Sequence, residues 1–119
     1  MEAAVTVGLV VSVVQFYNGG KMKFNVHMTA FMNGEIREVN VPDENLGEDI
    51  HSDLEEIFKF GQNDFQPIKD RCSVSAGDVI DYNGQLYLIL MAGFRKISAK
   101  QFEHYKSVDR HAKLNYMIE

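Results

Sequence analysis

Apolar and polar positions follow their clearest pattern between Ser73 and Ile97, SVSAGDVIDYNGQLYLILMAGFRKI. The segment reads as a polar turn, a strand, an Asn-Gly turn, a second strand and a Gly-Phe exit. Asn83 and Gly84 can both take φ > 0, as a two-residue type I′ hairpin requires. Tyr82 then lies opposite Gln85, Ile80 opposite Tyr87 and Val79 opposite Leu88. Both faces are apolar: Ile80, Tyr82, Tyr87 and Ile89 on one, Val79, Leu86, Leu88 and Leu90 on the other. Such a hairpin has to be covered on both sides, which predicts a place inside a sheet.

Lys21 to Met32 alternates with period two. Met22, Phe24, Val26, Met28, Ala30 and Met32 share one face, and Lys21, Lys23, Asn25, His27 and Thr29 share the other, the pattern of a strand with one wet side. Asn33-Gly34 is a second type I′ candidate. Pairing Met32 with Glu35 would set Val39 opposite Met28 and Val41 opposite Val26. Upstream, the β-branched and aromatic run Val5 to Tyr17 predicts a strand, with Gly8 suited to a bulge and Asn18-Gly19-Gly20 to a turn.

After Pro42 the period changes. Leu46, Ile50, Leu54, Ile57 and Phe58 fall on one helical stripe, with Glu48, Asp49 and Asp53 towards its N-terminal end. Asp43 or Asn45 can cap it, and Gly61 is a C′ stop. Gln62 to Asp70 is an irregular connector. Ser98 predicts a last helix reaching about Val108 and burying Phe102 and Tyr105. Asp109 to Glu119 reads either as an edge strand or as an irregular tail. The sum is an α+β fold: a mainly antiparallel sheet, open or curled into a small, partly open barrel, with one central amphipathic helix and a shorter C-terminal helix.

No linker or repeat divides the 119 residues, so a single domain over 1–119 is expected. The formal net charge of −5 argues against a protein that tracks phosphates over its whole surface, though not against a local basic patch. Cys72 is the single cysteine, which excludes an internal disulfide and suits a reducing cytoplasm. The apolar run Ala3 to Val14 lacks preceding Lys or Arg and is short for a bilayer span, so a strand and no membrane association are expected.

Candidate chemistry is sparse. The four histidines, His27, His51, His104 and His111, show no metal-site spacing, and no metal or cofactor is expected. Cys72, His104 and Asp109 form the single polar set that could suggest catalysis; with no phosphate loop, HExxH, GxSxG or CxxC, no catalytic residue is assigned and a non-enzyme is expected. The carboxylates Glu48, Asp49, Asp53, Glu55 and Glu56 read as the hydrated face of a helix. The loop GQNDFQP offers amide donors and acceptors suited to binding. Ser75-Ala76-Gly77-Asp78 reads as a β-turn, with Asp78 holding backbone amides. Lys21, Lys23, Lys69, Arg71, Arg95, Lys96 and Lys100 can gather into a basic patch, with Tyr82, Tyr87 or Phe94 for stacking. The candidate binding residues are therefore Gln62, Asn63, Asp64, Gln66, Asp78, Arg95 and Lys96.

Across GQNDFQP, SVSAGDVI, NGQLYLI and GFRKI, from about Leu54 to Ile97, the chain resembles small proteins of bacteriophages and conjugative elements, the YodL-like group. The resemblance implies a mobile-element accessory protein in the cytoplasm of a bacterial host. It would act by contact with a host protein, as an inhibitor of defence for example. The Met-rich face of Met22, Met28 and Met32 suits either such contact or, as the commoner role of an alternating strand face, packing in the core. Gly77-Asp78 leading into an apolar strand is also similar to RNA-binding barrels of the PUA and ASCH type, although the charged ASCH signature is missing. A nucleic-acid-binding module is thus the alternative, and a structural or oligomerising domain the third reading, with a homodimer through sheet edges as its form.

Overall fold

The computed structural model describes residues 17–18, 20–31, 34–62 and 73–118. The predicted first strand lies outside these residues except for Tyr17, which with Asn18 forms β1 (Tyr17–Asn18) and pairs with the start of β2 (Lys21–Met28). β3 (Glu35–Pro42) runs along the whole of β2 on its other edge. Beyond β1, the same edge of β2 takes up β4 (Val79–Tyr82) at Asn25 to His27, and β5 (Gln85–Ile89) and β6 (Phe94–Ile97) follow. Every pairing is antiparallel. Among the described residues β3 and β6 are outer strands that do not pair with each other, so the sheet is open and no barrel closes.

The Asn83-Gly84 hairpin has the register its sequence dictates, Tyr82 with Gln85 through Val79 with Leu88. Asn83 has φ 52 and Gly84 φ 91, the left-handed values a type I′ turn needs. Both strands lie inside the sheet, and both faces are covered. On one face, Ile80, Ile89, Tyr82 and Tyr87 join Phe24, Val26, Val39, Leu54 and Ile57 beneath α1 (Ile50–Phe60). On the other, Val79, Leu88, Leu86 and Leu90 meet Phe102 and Tyr105 of α2 (Ala99–Ser107). Each fully buried aliphatic side chain here stabilises the fold by about 1.5–3 kcal/mol.

Three local expectations are corrected. Met28, not Met32, pairs with Glu35, so Val39 faces Phe24 and Val41 faces Met22. β2 stops early because Thr29 and Ala30 leave the ladder for the turn at Gly77-Asp78: Thr29 Oγ1 donates to the Gly77 carbonyl at 2.7 Å, and the Ala30 amide donates to Asp78 Oδ1 at 2.9 Å. The main helix starts at Ile50, capped by Asp49 rather than by Asp43 or Asn45. Residues Asp43–Asn45 form a 3-10 turn, and Ser52 N donates to Asp49 Oδ1 at 2.7 Å. The tail is neither strand nor irregular. It forms α3 (Arg110–Met117), whose N-cap Asp109 accepts from the Ala112 amide at 2.9 Å.

Gly61 does end α1, but with φ −73 rather than in the left-handed conformation of a C′ glycine. Its reason is close approach, since a Cβ there would lie 2.5 Å from Val74 Cγ2. At the other end of the chain Ser98 forms a full capping box with Gln101.

Candidate functional site

The sequence-derived binding residues separate in space. Gln62 donates through Nε2 to the carbonyls of Phe58 (3.0 Å) and Val74 (2.9 Å), tying the end of α1 to the irregular segment that precedes β4. Asn63, Asp64 and Gln66 lie outside the described residues, as does Cys72. Arg95 pairs across the ladder with Leu88, and Lys96 with Tyr87. Strand alternation therefore sends Arg95 to the α2 face and Lys96 to the α1 face.

Asp78 is 1% exposed and forms the centre of a buried polar knot. Its Oδ1 takes the Ala30 amide and its Oδ2 the Ser75 amide, each at 2.9 Å. Burial pushes the Asp78 carboxyl above its usual range, against the pull of those amides. The neighbouring Gly77 carbonyl accepts from Thr29 Oγ1 and also from Tyr105 Oη, the latter at 2.5 Å. Burial pushes the Tyr105 phenol up to about 12; Asp78 adds to the shift, while Thr29 and Arg110 oppose it. From α3, Arg110 donates to the Ala30 carbonyl at 2.5 Å and Lys113 to the Thr29 carbonyl at 2.9 Å. The knot thus locks both C-terminal helices to the turn before β4.

The surface of those helices carries two distinct features. The first is apolar. Phe31, Leu114, Ile118 and Met91 are 63%, 40%, 70% and 66% exposed. Arg110, Leu114 and Ile118 succeed one another at helical i, i+4 spacing. The Arg110 guanidinium stacks on Phe31 at 3.9 Å, and the Met91 amide donates to the Met117 carbonyl at the helix end. Leu114 and Ile118 thus form an apolar stripe along one side of α3, flanked by Phe31 at its Arg110 end and by Met91 at its Met117 end.

The second feature is a cleft of about 380 Å³ between β5–β6 and the two C-terminal helices. Leu88 and Ile97 line its base, Tyr116 forms a wall, Arg95 and Lys100 supply cationic groups, and His104 adds an imidazole. Tyr116 is held edge-on by Tyr105 (centroids 5.4 Å apart) and by His104 (6.2 Å). Arg95 and Lys100 were foreseeable as basic residues. Tyr116 was not, because Tyr82, Tyr87 and Phe94 pack on the α1 side instead. The Asp109 cap was the one signal that places Tyr116 on a helix.

On the α1 face, Tyr82 Oη donates to Asp53 Oδ2 at 2.6 Å, and burial together with this bond pushes its phenol up to about 12. Asp53 Oδ1 takes the Gly47 amide at 2.9 Å, so the carboxylate is used on both sides. Of the Cys72, His104 and Asp109 set, His104 is exposed at the cleft and Asp109 is spent on its cap. Among the described residues no group of three His, Cys, Asp or Glu side chains converges as metal ligands, and no helix is long and apolar enough to cross a membrane.

His27 lies on the α2 face with its ring 5.0 Å from that of Phe102. Burial lowers its pKa, Asp81 pulls it back up, and Lys106 lowers it further. A depressed folded pKa contributes stability that is complete above the unfolded value of 6.5 and is lost as pH falls through the folded value. Denaturant unfolding between about pH 7 and 5 is expected to show declining stability, and His27→Gln to flatten that decline; an unchanged slope would exclude His27 as its source. Compared with known proteins, the chain matches no family model, no curated protein and no solved structure.

Proposed function

We propose that the protein is a non-enzymatic accessory factor of a phage or other mobile element, binding a host protein through the outer side of α3. The observation that carries this reading is the stripe of Leu114 and Ile118 flanked by Phe31 and Met91, four large apolar side chains left in water. Single exposed apolar residues are ordinary on any protein surface, whereas an aligned group is the usual mark of a contact surface. Its surroundings specify the partner's chemistry. Beside the stripe, α3 itself carries Arg110 and Lys113 with Asp109 as its cap, a basic region in a chain of net charge −5. A partner surface with an apolar centre and an acidic rim complements it. The Arg110–Phe31 stack adds a fixed Arg–aromatic pair of the kind enriched in contact centres.

The test is affinity capture from bacterial host lysate after nuclease treatment, with wild-type protein and Leu114→Asp side by side. A stoichiometric partner retained by wild type and reduced at least about tenfold by Leu114→Asp is the expected result. Capture that disappears with nuclease would move the assignment to nucleic acid, and equal capture by the variant would remove α3 from the contact. Sedimentation of the purified protein separates a further case: a concentration-dependent dimer dissolved by Leu114→Asp would make the stripe a self-interface.

A further inference from the structure

The cleft between β6, α2 and α3 is separate from the α3 stripe and has a different chemistry. We propose that it binds a nucleotide, with the phosphate held by Arg95 and Lys100 and the base laid against Tyr116. The polar lining is weighted towards donors. Arg95 and Lys100 can only donate. Gln101 gives its Oε1 to the Ser98 amide at 2.8 Å, which leaves its amide –NH2 for a ligand. Among the described residues no carboxylate lines the cleft. Lys100 and Gln101 also stand in the first turn of α2, at the positive end of its dipole. A group rich in acceptors and negative charge is what such a rim recognises, and a phosphate offers both.

The rest of the cleft fits a flat, partly apolar body. Leu88 and Ile97 form an aliphatic base, 1% and 9% exposed. Tyr116 is clamped edge-on between Tyr105 and His104, so its ring is a fixed wall against which a base can stack. The volume of about 380 Å³ lies within the range of small-ligand sites. A phosphate joined to a base occurs both in a free nucleotide and at the end of a nucleic-acid strand, and the cleft chemistry is the same for both.

Calorimetric titration of the full chain with adenosine monophosphate, with inorganic phosphate and with a short, terminally phosphorylated single-stranded DNA tests the proposal. Adenosine monophosphate is expected to bind at least about tenfold more tightly than inorganic phosphate, because stacking on Tyr116 adds to the charge contacts. Arg95→Gln and Lys100→Ala should each weaken it about tenfold. Lys96→Ala, next to Arg95 but on the opposite face, should change nothing. Thermal melting of each variant separates lost binding from lost folding. If the strand binds more tightly than the mononucleotide and is displaced by it, the ligand is a strand end; equal affinity makes it the free nucleotide. Absence of binding by both, wild-type affinity in the Arg95 and Lys100 variants, or phosphate binding as well as adenosine monophosphate would each overturn it.

Discussion

Gly77→Ala is expected to lower the melting temperature by roughly 8–20 °C, the larger of two glycine effects that the hairpin region allows to be compared. Gly77 has φ +97, a conformation in which an L side chain is strained by about 1–2 kcal/mol. The new Cβ would also stand 2.9 Å from the Ala30 Cβ and 3.0 Å from Met117 Sδ. The methionine can swing away, but the alanine methyl is fixed to backbone whose own amide is held by Asp78. Overpacking of this kind typically adds about 1–3 kcal/mol. At 119 residues each kcal/mol corresponds to about 4 °C, which gives the expected shift. Gly84→Ala is the internal control: its φ is +91, yet nothing lies within 4 Å of its would-be Cβ, so only the strain remains. If calorimetry showed equal shifts for the two variants, close packing at Gly77 would not be the reason for that glycine.

How far the sequence specifies the fold depends on whether a local rule has a competitor. The Asn83-Gly84 hairpin follows directly from its turn chemistry, because a two-residue loop leaves one register and both flanking strands are apolar on both faces. The β2–β3 hairpin looked equivalent and is not. Its register differs from the expected one by an even number of residues, so every side chain keeps its face and the hydrophobic pattern cannot tell the two apart. The deciding interactions are long-range: Thr29 and Ala30 bond to Gly77 and Asp78, 48 positions away. The helix start shows the same competition. Asn45 is a good capping residue, but its side chain donates to Glu56 Oε1 at 3.2 Å, and Asp49 takes the cap.

The candidate sites were legible only as ingredients. Arg95 and Lys100 are visible as basic residues and Leu114 and Ile118 as apolar ones, but adjacent residues on a strand diverge, which divides Arg95 from Lys96. The tail gave a weak periodic signal because α3 buries only Met117 fully and half-buries Tyr116. A helix held by so little apolar burial has to be anchored otherwise. Its anchors are Arg110 and Lys113 reaching the carbonyls of Ala30 and Thr29, which sequence separation hides. Both proposed binding surfaces therefore depend on the knot around Gly77 and Asp78.

Asp78→Ala puts that dependence to the test and carries the second large effect, an expected loss of about 2–5 kcal/mol, or roughly 8–20 °C in melting temperature. Two backbone amides, those of Ala30 and Ser75, would lose their acceptor inside a site where Asp78 itself is 1% exposed. An orphaned buried donor costs about 1–3 kcal/mol. Removing the carboxylate also relieves the desolvation that raises its pKa, and this keeps the net loss below the sum of two unusually costly amides. Asp78→Asn is not a rescue, since one acceptor survives while the –NH2 meets the other amide donor to donor. Its cost should lie close to that of the alanine variant. Denaturant titration of the two variants, read beside hydrogen exchange of α3 amides, distinguishes a local anchor from a global one. Faster exchange in α3, beyond the global loss of stability, would identify Asp78 as the post to which the C-terminal helices are tied. Exchange that rises only in step with global unfolding would show that the helices hold without it.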